Sequence, residues 1–288
     1  MIDIILMGIF VGSIYGMMGL GFSLIFTGIR NLLNLSYGQI CILGSCLSLM
    51  FVTWLRIDPL LSLVIVLPIV FCIAYIMQYI FLNRVVLKEE HGTALLTTLG
   101  LALIIENLLL LGMGPDVVTL SAYASYSLLY IELGSINLPL SYLITFFASL
   151  LACIALYVFL KYTYIGRAIR ATSESYLHAQ LFGVNHKKTF AITFGLAGLM
   201  AAMSGIFAGF IYPFTPTYGF YYMEMAFFVL VIGGMGSIKG SFVGGVILGV
   251  IRSLACYYLG LPYARFIGNI AILIMLYIKP QGIFGWKV

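Results

Sequence analysis

Apolar residues run along this chain in long blocks separated by short polar gaps. The blocks fall near 4–29, 39–55, 60–82, 93–112, 139–160, 189–212, 222–237, 241–259 and 264–278. Each is apolar on every face of a helix, which suits a buried core or lipid rather than a water-washed surface. About 20 apolar residues carry a helix across a bilayer core. The pattern predicts eight or nine crossings. The seventh and ninth blocks are short, as half-spans or tilted packing helices would be. Two gaps stand out by length. Residues 113–138 are rich in Tyr, Ser and β-branched residues around Gly134 and predict a short hairpin or a capping loop. Residues 161–188 form the other long polar segment.

Composition sharpens this picture. Of 288 residues 63% are hydrophobic and 8% charged, about a third of the charged fraction of a soluble domain. A water-soluble globule of this length leaves too much surface exposed to hide so much apolar matter. Soluble enzymes are therefore excluded. A net charge of +5 with no basic stripe excludes nucleic-acid binding. The expected fold is an all-α polytopic membrane protein, one transmembrane domain over 1–288, with eight or nine helices, broken helices and a short cytoplasmic helix.

The Lys and Arg distribution sets a direction. Lys161, Arg167, Arg170, Lys187 and Lys188 crowd 161–188, and Arg84 and Lys88 lie in 83–92. Lys279 and Lys287 lie in the tail, and Arg30 and Lys239 in short turns. All share one side if the crossings alternate. Arg56 and Arg265 fall on the other, with the acidic, Lys- and Arg-free segment 113–138. Basic residues mark the cytoplasmic side, so the N-terminus is expected outside and the C-terminus inside. Met1-Ile2-Asp3 carries no basic residue before the first block, so that block reads as a permanent helix rather than a cleaved leader.

Within the inner segment, Thr172 or Ser173 suits a helix N-cap. Glu174 would then lie at the positive end of the helix, and Gly183 suits its left-handed end. Leu177, Leu181 and Phe182 make an apolar stripe, with Ala179 leaving a small gap. The result is an amphipathic helix of about 8–10 residues, too short to stand alone in water. Its stripe rests either on the membrane surface and the protein's own helix ends, or in a groove of a soluble partner.

Two spans are interrupted. Residues 30–38 read Arg30-Asn31-Leu32-Leu33-Asn34-Leu35-Ser36-Tyr37-Gly38, followed by Gln39; residues 233–240 run from Gly233 through Gly236 to Gly240. Unwound backbone at depth is tolerated only where protein or a watery cavity satisfies it. Paired interruptions in two halves point to a transporter's solute site; the plain alternative is a turn between neighbouring helices. Asn34, Ser36, Tyr37, Gly38, Gln39 and Gly236 are the pathway candidates, joined by Glu106, an acid within a span. Glu224 and Arg252, also within spans, are expected near the interfaces. Glycines such as Gly8, Gly12, Gly16, Gly245 and Gly249 suit close helix packing in lipid.

Cys41, Cys46, Cys72, Cys153 and Cys256 lie in apolar stretches without C-x-x-C spacing, and read as small hydrophobes. No metal-ligand spacing, phosphate-binding loop or nucleophile grouping is present in the sequence. No cofactor is expected on this chain, and any ATP is hydrolysed elsewhere.

Three stretches, Gly12-Ser13-Ile14-Tyr15-Gly16 through Asn34–Gln39, Gly166-Arg167-Ala168-Ile169-Arg170-Ala171 through Gly183-Val184-Asn185, and Gly233–Gly240 through Pro280-Gln281-Gly282-Ile283-Phe284-Gly285, together with their order and spacing, carry a resemblance. The chain resembles the inner-membrane permease subunits of ABC importers for branched-chain amino acids. That resemblance implies a transport subunit rather than an enzyme, working by alternating access. It implies a second permease subunit (a paralogue or the same chain), two cytoplasmic ATPase subunits holding ATP and Mg, an external solute-binding protein and a lipid setting. It makes the inner helix a coupling helix, with Arg170, Glu174, Ala179, Leu181, Phe182 and Gly183 at the ATPase. Ala179 and Gly183 fit the small-x3-Gly part of the family signature, whereas an adjacent acid and alanine are missing. Urea or another small polar solute on the same machine, and an ion-coupled secondary transporter, are the alternatives.

Overall fold

The computed structural model describes residues 1–29, 32–87, 91–133, 136–279 and 281–285. Arg30, Asn31, Lys88, Gly134, Pro280 and Lys287 lie outside them. A backbone in lipid must satisfy its own hydrogen bonds, so each apolar block winds into a helix. The order is α1 (Ile2–Gly28), α2 (Tyr37–Leu55), α3 (Pro59–Ile76), α4 (Asn83–Val86), α5 (His91–Met113), α6 (Leu140–Tyr162), α7 (Tyr164–Glu174), α8 (Tyr176–Leu181), α9 (His186–Ile211), α10 (Gly219–Gly233), α11 (Ile238–Leu259) and α12 (Leu261–Ile278). A π-helical turn, Met77–Leu82, joins α3 to α4. Asn83, just past that turn, donates to Lys187 O at 3.1 Å and ties this end of α3–α4 to the start of α9.

Among the described residues, seven helical units are long and apolar enough to cross a membrane. The protein is an all-α, multi-pass membrane protein. The count is below the expected eight or nine because the seventh and ninth blocks form the short helices. With 15 residues, α10 is only ~22 Å long. The apolar part of α12 is Pro262–Ile278.

Glycines set the centre of the bundle. A Cβ on Gly8 would stand 2.8 Å from Val250 Cα, on Gly12 2.6 Å from Val246 Cα, and on Gly16 3.0 Å from Phe242 Cα. The backbones of α1 and α11 therefore touch directly, as small residues permit in lipid. Rising numbers in α1 meet falling numbers in α11, so the pair is antiparallel. In the same way Gly21 abuts Met200, and Gly28 abuts Thr193, so α1 is antiparallel to α9. The start of α1 and the ends of α9 and α11 thus share one end of the bundle. The segment α7–α8, which leads into α9, lies at the other.

The segment before α6 contains the expected hairpin. Strands β1 (Tyr130–Leu133) and β2 (Ile136–Pro139) pair antiparallel, Tyr130 opposite Pro139 and Leu133 opposite Ile136. Upstream, Val118 and Phe214 exchange backbone hydrogen bonds of 3.0 and 2.8 Å, and Leu120 N donates to Gly209 O. This segment therefore caps the end of α9. Burial, and then the Asp58 carboxylate, push the Tyr126 phenol above its ordinary range.

Candidate functional site

The described part of the interruption between α1 and α2, residues 32–36, is largely buried. Asn34, Ser36, Tyr37 and Gln39 have no exposed surface, so it is not a solvent turn. Several of its polar groups are satisfied locally. Asn34 Oδ1 accepts from Ser36 N at 2.8 Å and from Ser36 Oγ at 2.6 Å, an Asx turn that starts α2. Leu35 N donates to Thr98 Oγ1 of α5 at 3.3 Å. The Tyr37 hydroxyl donates to Met18 O at 2.8 Å, and its ring lies 5.4 Å from that of Phe22. The first turn of α2 is thereby pinned to the middle of α1.

A second helix start meets it. After α9 the chain turns back through Phe214, Thr215 and Pro216, all buried, and begins α10 at Gly219. A Cβ on Gly219 would overlap the Gln39 side chain, and one on Gly38 would overlap Gly219 O and stand 2.6 Å from Met223 N. Against this contact, Gln39 Nε2 donates to Glu106 Oε2 at 2.7 Å. Two helix starts thus converge beside one amide–carboxylate hydrogen bond. Asn34 Nδ2 and Gln39 Oε1 remain buried without partners, one spare donor and one spare acceptor.

Gly236 does not join this group. It is left-handed, with φ +89°, in the α10–α11 turn, where a Cβ would meet Thr27 at 2.9 Å. That turn lies a helix length, ~22 Å, along α10 from Gly219. It is a packing turn. Ser237 Oγ caps α11 by accepting from Gly240 N at 3.0 Å. Ile283 N and Phe284 N donate to Ile232 O and Gly233 O at 2.9 and 3.1 Å. The Gly233–Gly240 and Gln281–Gly285 motifs therefore form one structural unit, and the partner of the 30–38 break is the 212–218 segment. Pro213 and Pro216, just before the short seventh block, are the signal the sequence offered for it.

The inner segment folds as two helices rather than one. Thr163 caps α7 by accepting from Gly166 N at 3.0 Å, and α7 buries Gly166, Ile169 and Thr172. The hydroxyls of Thr172 and Ser173 bond back to Ile169 O and Arg170 O, so neither is an N-cap. The chain breaks at Ser175, whose hydroxyl accepts from His178 N and caps α8. Glu174 is therefore the last, exposed residue of α7 and not the first turn of the docking helix. The expected 8–10 residues reduce to the six of α8. Its end matches expectation: Gly183 has φ +81°, Gly183 N donates to Gln180 O, and Val184 N donates to Ala179 O at 3.1 Å, a Schellman ending. Ala179 is buried and Arg170 exposed, whereas Leu177, Leu181 and Phe182 are 59%, 81% and 87% exposed. The stripe does not rest on the protein's own helix ends.

Arg252 departs from its expected place near an interface. It is 9% exposed. Its Nη2 donates to the Tyr221 hydroxyl at 2.7 Å, its Nη1 contacts Met225 S, and its guanidinium lies 5.6 Å from the Tyr15 ring centre. Glu224 accepts from Asn269 of α12 at 3.3 Å in a half-exposed position.

Residues 4–278 match the family model described as branched-chain amino acid transport system, permease component. The chain is 30% identical, over 96% of its length and 93% of the relative's, to the high-affinity branched-chain amino acid transport system permease protein LivH of Escherichia coli (strain K12). It is 25% identical, over 96% and 94%, to the corresponding protein BraD of Pseudomonas aeruginosa. It is 28% identical, over 89% and 85%, to the probable branched-chain amino acid transport permease protein LivH of Methanocaldococcus jannaschii. No solved structure matches it.

Proposed function

Because this chain belongs to the branched-chain amino acid transport permease family, we propose that it is the transmembrane subunit of an ABC importer that moves leucine, isoleucine, valine or related amino acids into the cell. The match across 4–278 carries the reading. The chain itself forms the pathway; ATP and Mg act on two partner ATPase subunits, beside a second permease subunit and an external binding protein.

The geometry fits this work. A zwitterion asks for donors at its carboxylate and acceptors at its ammonium, and an aliphatic side chain asks only for an apolar wall. The buried junction offers the spare Asn34 Nδ2 and Gln39 Oε1, beside the Gln39–Glu106 pair. Discontinuous helices at such a junction leave backbone groups available to solute. Because α2 and α10 meet through glycines, a small shift of α10 remakes the contact between them.

The α7–α8 end is the cytoplasmic one in this account, and the start of α1 lies outside. Lys161, Arg167, Arg170, Lys187 and Lys188 lie at that end, in keeping with the positive-inside rule. At α8, Leu181 and Phe182 form an apolar stub that the rest of the chain leaves uncovered, as a helix seated in an ATPase groove requires. ATP-driven closure of the ATPases then moves α7–α8, and through Ile169, which packs near Gly28 of α1, the bundle. The test is leucine uptake into vesicles holding the assembled transporter, with and without ATP. ATP-dependent uptake is expected; uptake of urea and not leucine overturns the cargo, and ion-driven uptake without ATPases overturns the class.

A further inference from the structure

At the outer end of this bundle, α1, α10, α11 and α12 enclose a cavity of about 440 Å³, lined among others by Tyr15, Tyr212, Tyr221, Tyr222, Arg252 and Arg265. Its walls are mostly aromatic and aliphatic, and its two fixed charges are both positive. Arg252 is the unusual one. A buried cation in a lipid-embedded bundle is costly, and it normally faces an anion or serves a function. The groups that hold it here are neutral: the Tyr221 hydroxyl, the Met225 sulfur and the faces of Tyr15 and Tyr221. Arg265 lies over the same Tyr221 ring, 4.6 Å from its centre. Two guanidinium groups, the buried Arg252 and the exposed Arg265, therefore share one aromatic ring on one cavity wall, and among the described residues no carboxylate is hydrogen-bonded to Arg252.

We propose that this cavity is an outer receiving subsite for the carboxylate of an amino acid with an apolar side chain, with Arg252 as its main anion anchor, Arg265 as the second cation, and the tyrosines as the wall for the side chain. The proposal rests on the importer reading above. A planar guanidinium pairs with a carboxylate through two parallel hydrogen bonds, and a cavity of a few hundred Å³ is of the size that takes small ligands. The first turn of α10 links this chamber to the inner junction: Tyr218, Tyr221 and Tyr222 line the cavity while Gly219 presses on Gln39. A ligand that repositions Tyr221 therefore acts on the turn that closes against Gln39 and Glu106. An anionic lipid headgroup shares the chemistry, and the test separates the two sources.

Cys256 lines the same cavity and reports on it. The assembled transporter, in nanodiscs of zwitterionic phosphatidylcholine, is treated with an anionic (2-sulfonatoethyl) or a cationic (2-trimethylammonioethyl) methanethiosulfonate. The Cys256 adduct is read by peptide mass spectrometry, with rates normalised to those on free cysteine. Focusing of the field in a low-dielectric cleft predicts at least about a tenfold preference for the anionic reagent. Arg265→Gln reduces that preference, Arg252→Gln abolishes it, and Arg252→Lys, which keeps the charge should the neutral variant fail to fold, retains part of it. Millimolar leucine slows labelling of the unaltered protein, whereas leucinol, which lacks the carboxylate, does not. The subsite is overturned by equal rates for the two reagents, by equal protection from leucine and leucinol, or by protection from neither. It is also overturned if adding phosphatidylglycerol shields Cys256 while leucine has no effect, which would assign the cavity to lipid. Leucine uptake measured alongside keeps the two readings apart: uptake intact without protection sinks the subsite alone.

Discussion

A methyl group added to Gly38 has nowhere to go. It would overlap Gly219 O and crowd the backbone of Met223, and neither atom can swing aside as a side-chain tip can. Overpacking of this kind costs about 1–3 kcal/mol. Gly38→Ala is expected to lower the Tm and cut leucine uptake at least about tenfold. Gly100→Ala, where nothing lies within 4 Å, is expected to leave both unchanged or to raise the Tm slightly, since alanine favours a helix by up to ~1 kcal/mol over glycine. Glu106 allows a finer discrimination. Its role in the geometry is to accept the Gln39 amide proton, which Glu106→Gln can still do through its carbonyl oxygen. Glu106→Ala leaves Gln39 with both polar atoms buried and unpaired, at a cost of about 1–3 kcal/mol. Uptake close to the unaltered level in the amide variant and a strong loss in the alanine variant are expected. An equal loss in both would show that the negative charge itself is used.

The segment between α6 and α9 is two helices because the local chemistry favours two. Thr163 and Ser175 each cap a helix start, and the hydroxyls of Thr172 and Ser173 turn inward to α7 carbonyls. Any of several hydroxyls in this stretch could cap a helix by type alone, so residue type does not single out Ser175 over Thr172 or Ser173, and the place of Glu174 depends on that choice. The end was legible because Gly183 is a glycine where the chain must turn left-handed. The long spans were legible for the same kind of reason: hydrophobicity on all sides has one explanation in a chain this poor in charge. What escaped was tertiary. Pro213 and Pro216 mark a break before α10, but nothing local says that the start of α10 meets Gly38, or that Arg252 is buried. Both depend on which helices are neighbours, and the similarity between the 30–38 and 233–240 stretches pointed to the wrong partner. Leu181→Ser with Phe182→Ser tests the stub at this scale. Both side chains are exposed in the chain alone, so the stability of the isolated protein, followed through its Tm, should change by no more than ~0.5 kcal/mol. Co-purification of the ATPase subunits should nevertheless fall at least about tenfold, as loss of apolar anchors does at an interface. Unchanged co-purification would argue that the stub lies on lipid.

Across the whole molecule, α1 is the shared wall. It meets α11 backbone to backbone along Gly8, Gly12 and Gly16, abuts α9 at Gly21 and Gly28, and accepts the Tyr37 hydroxyl at Met18. A β-branched residue at Gly245, where a Cβ would already overlap Gly16, is expected to separate α1 from α11. Gly245→Val should abolish the folded, monodisperse protein in size-exclusion chromatography, while Gly92→Ala, in open space, should leave its yield unchanged. If α1 is the wall and α7–α8 the handle, the motion of the ATPases enters at Leu181 and Phe182 and spreads through Ile169 to α1. The most direct test is a photo-crosslinking amino acid in place of Phe182 in the assembled, membrane-embedded transporter. Adducts to the ATPase subunits are expected, with a yield that changes between nucleotide-free and ATP-bound states. Adducts confined to lipid, or to helices of the same chain, would contradict that expectation.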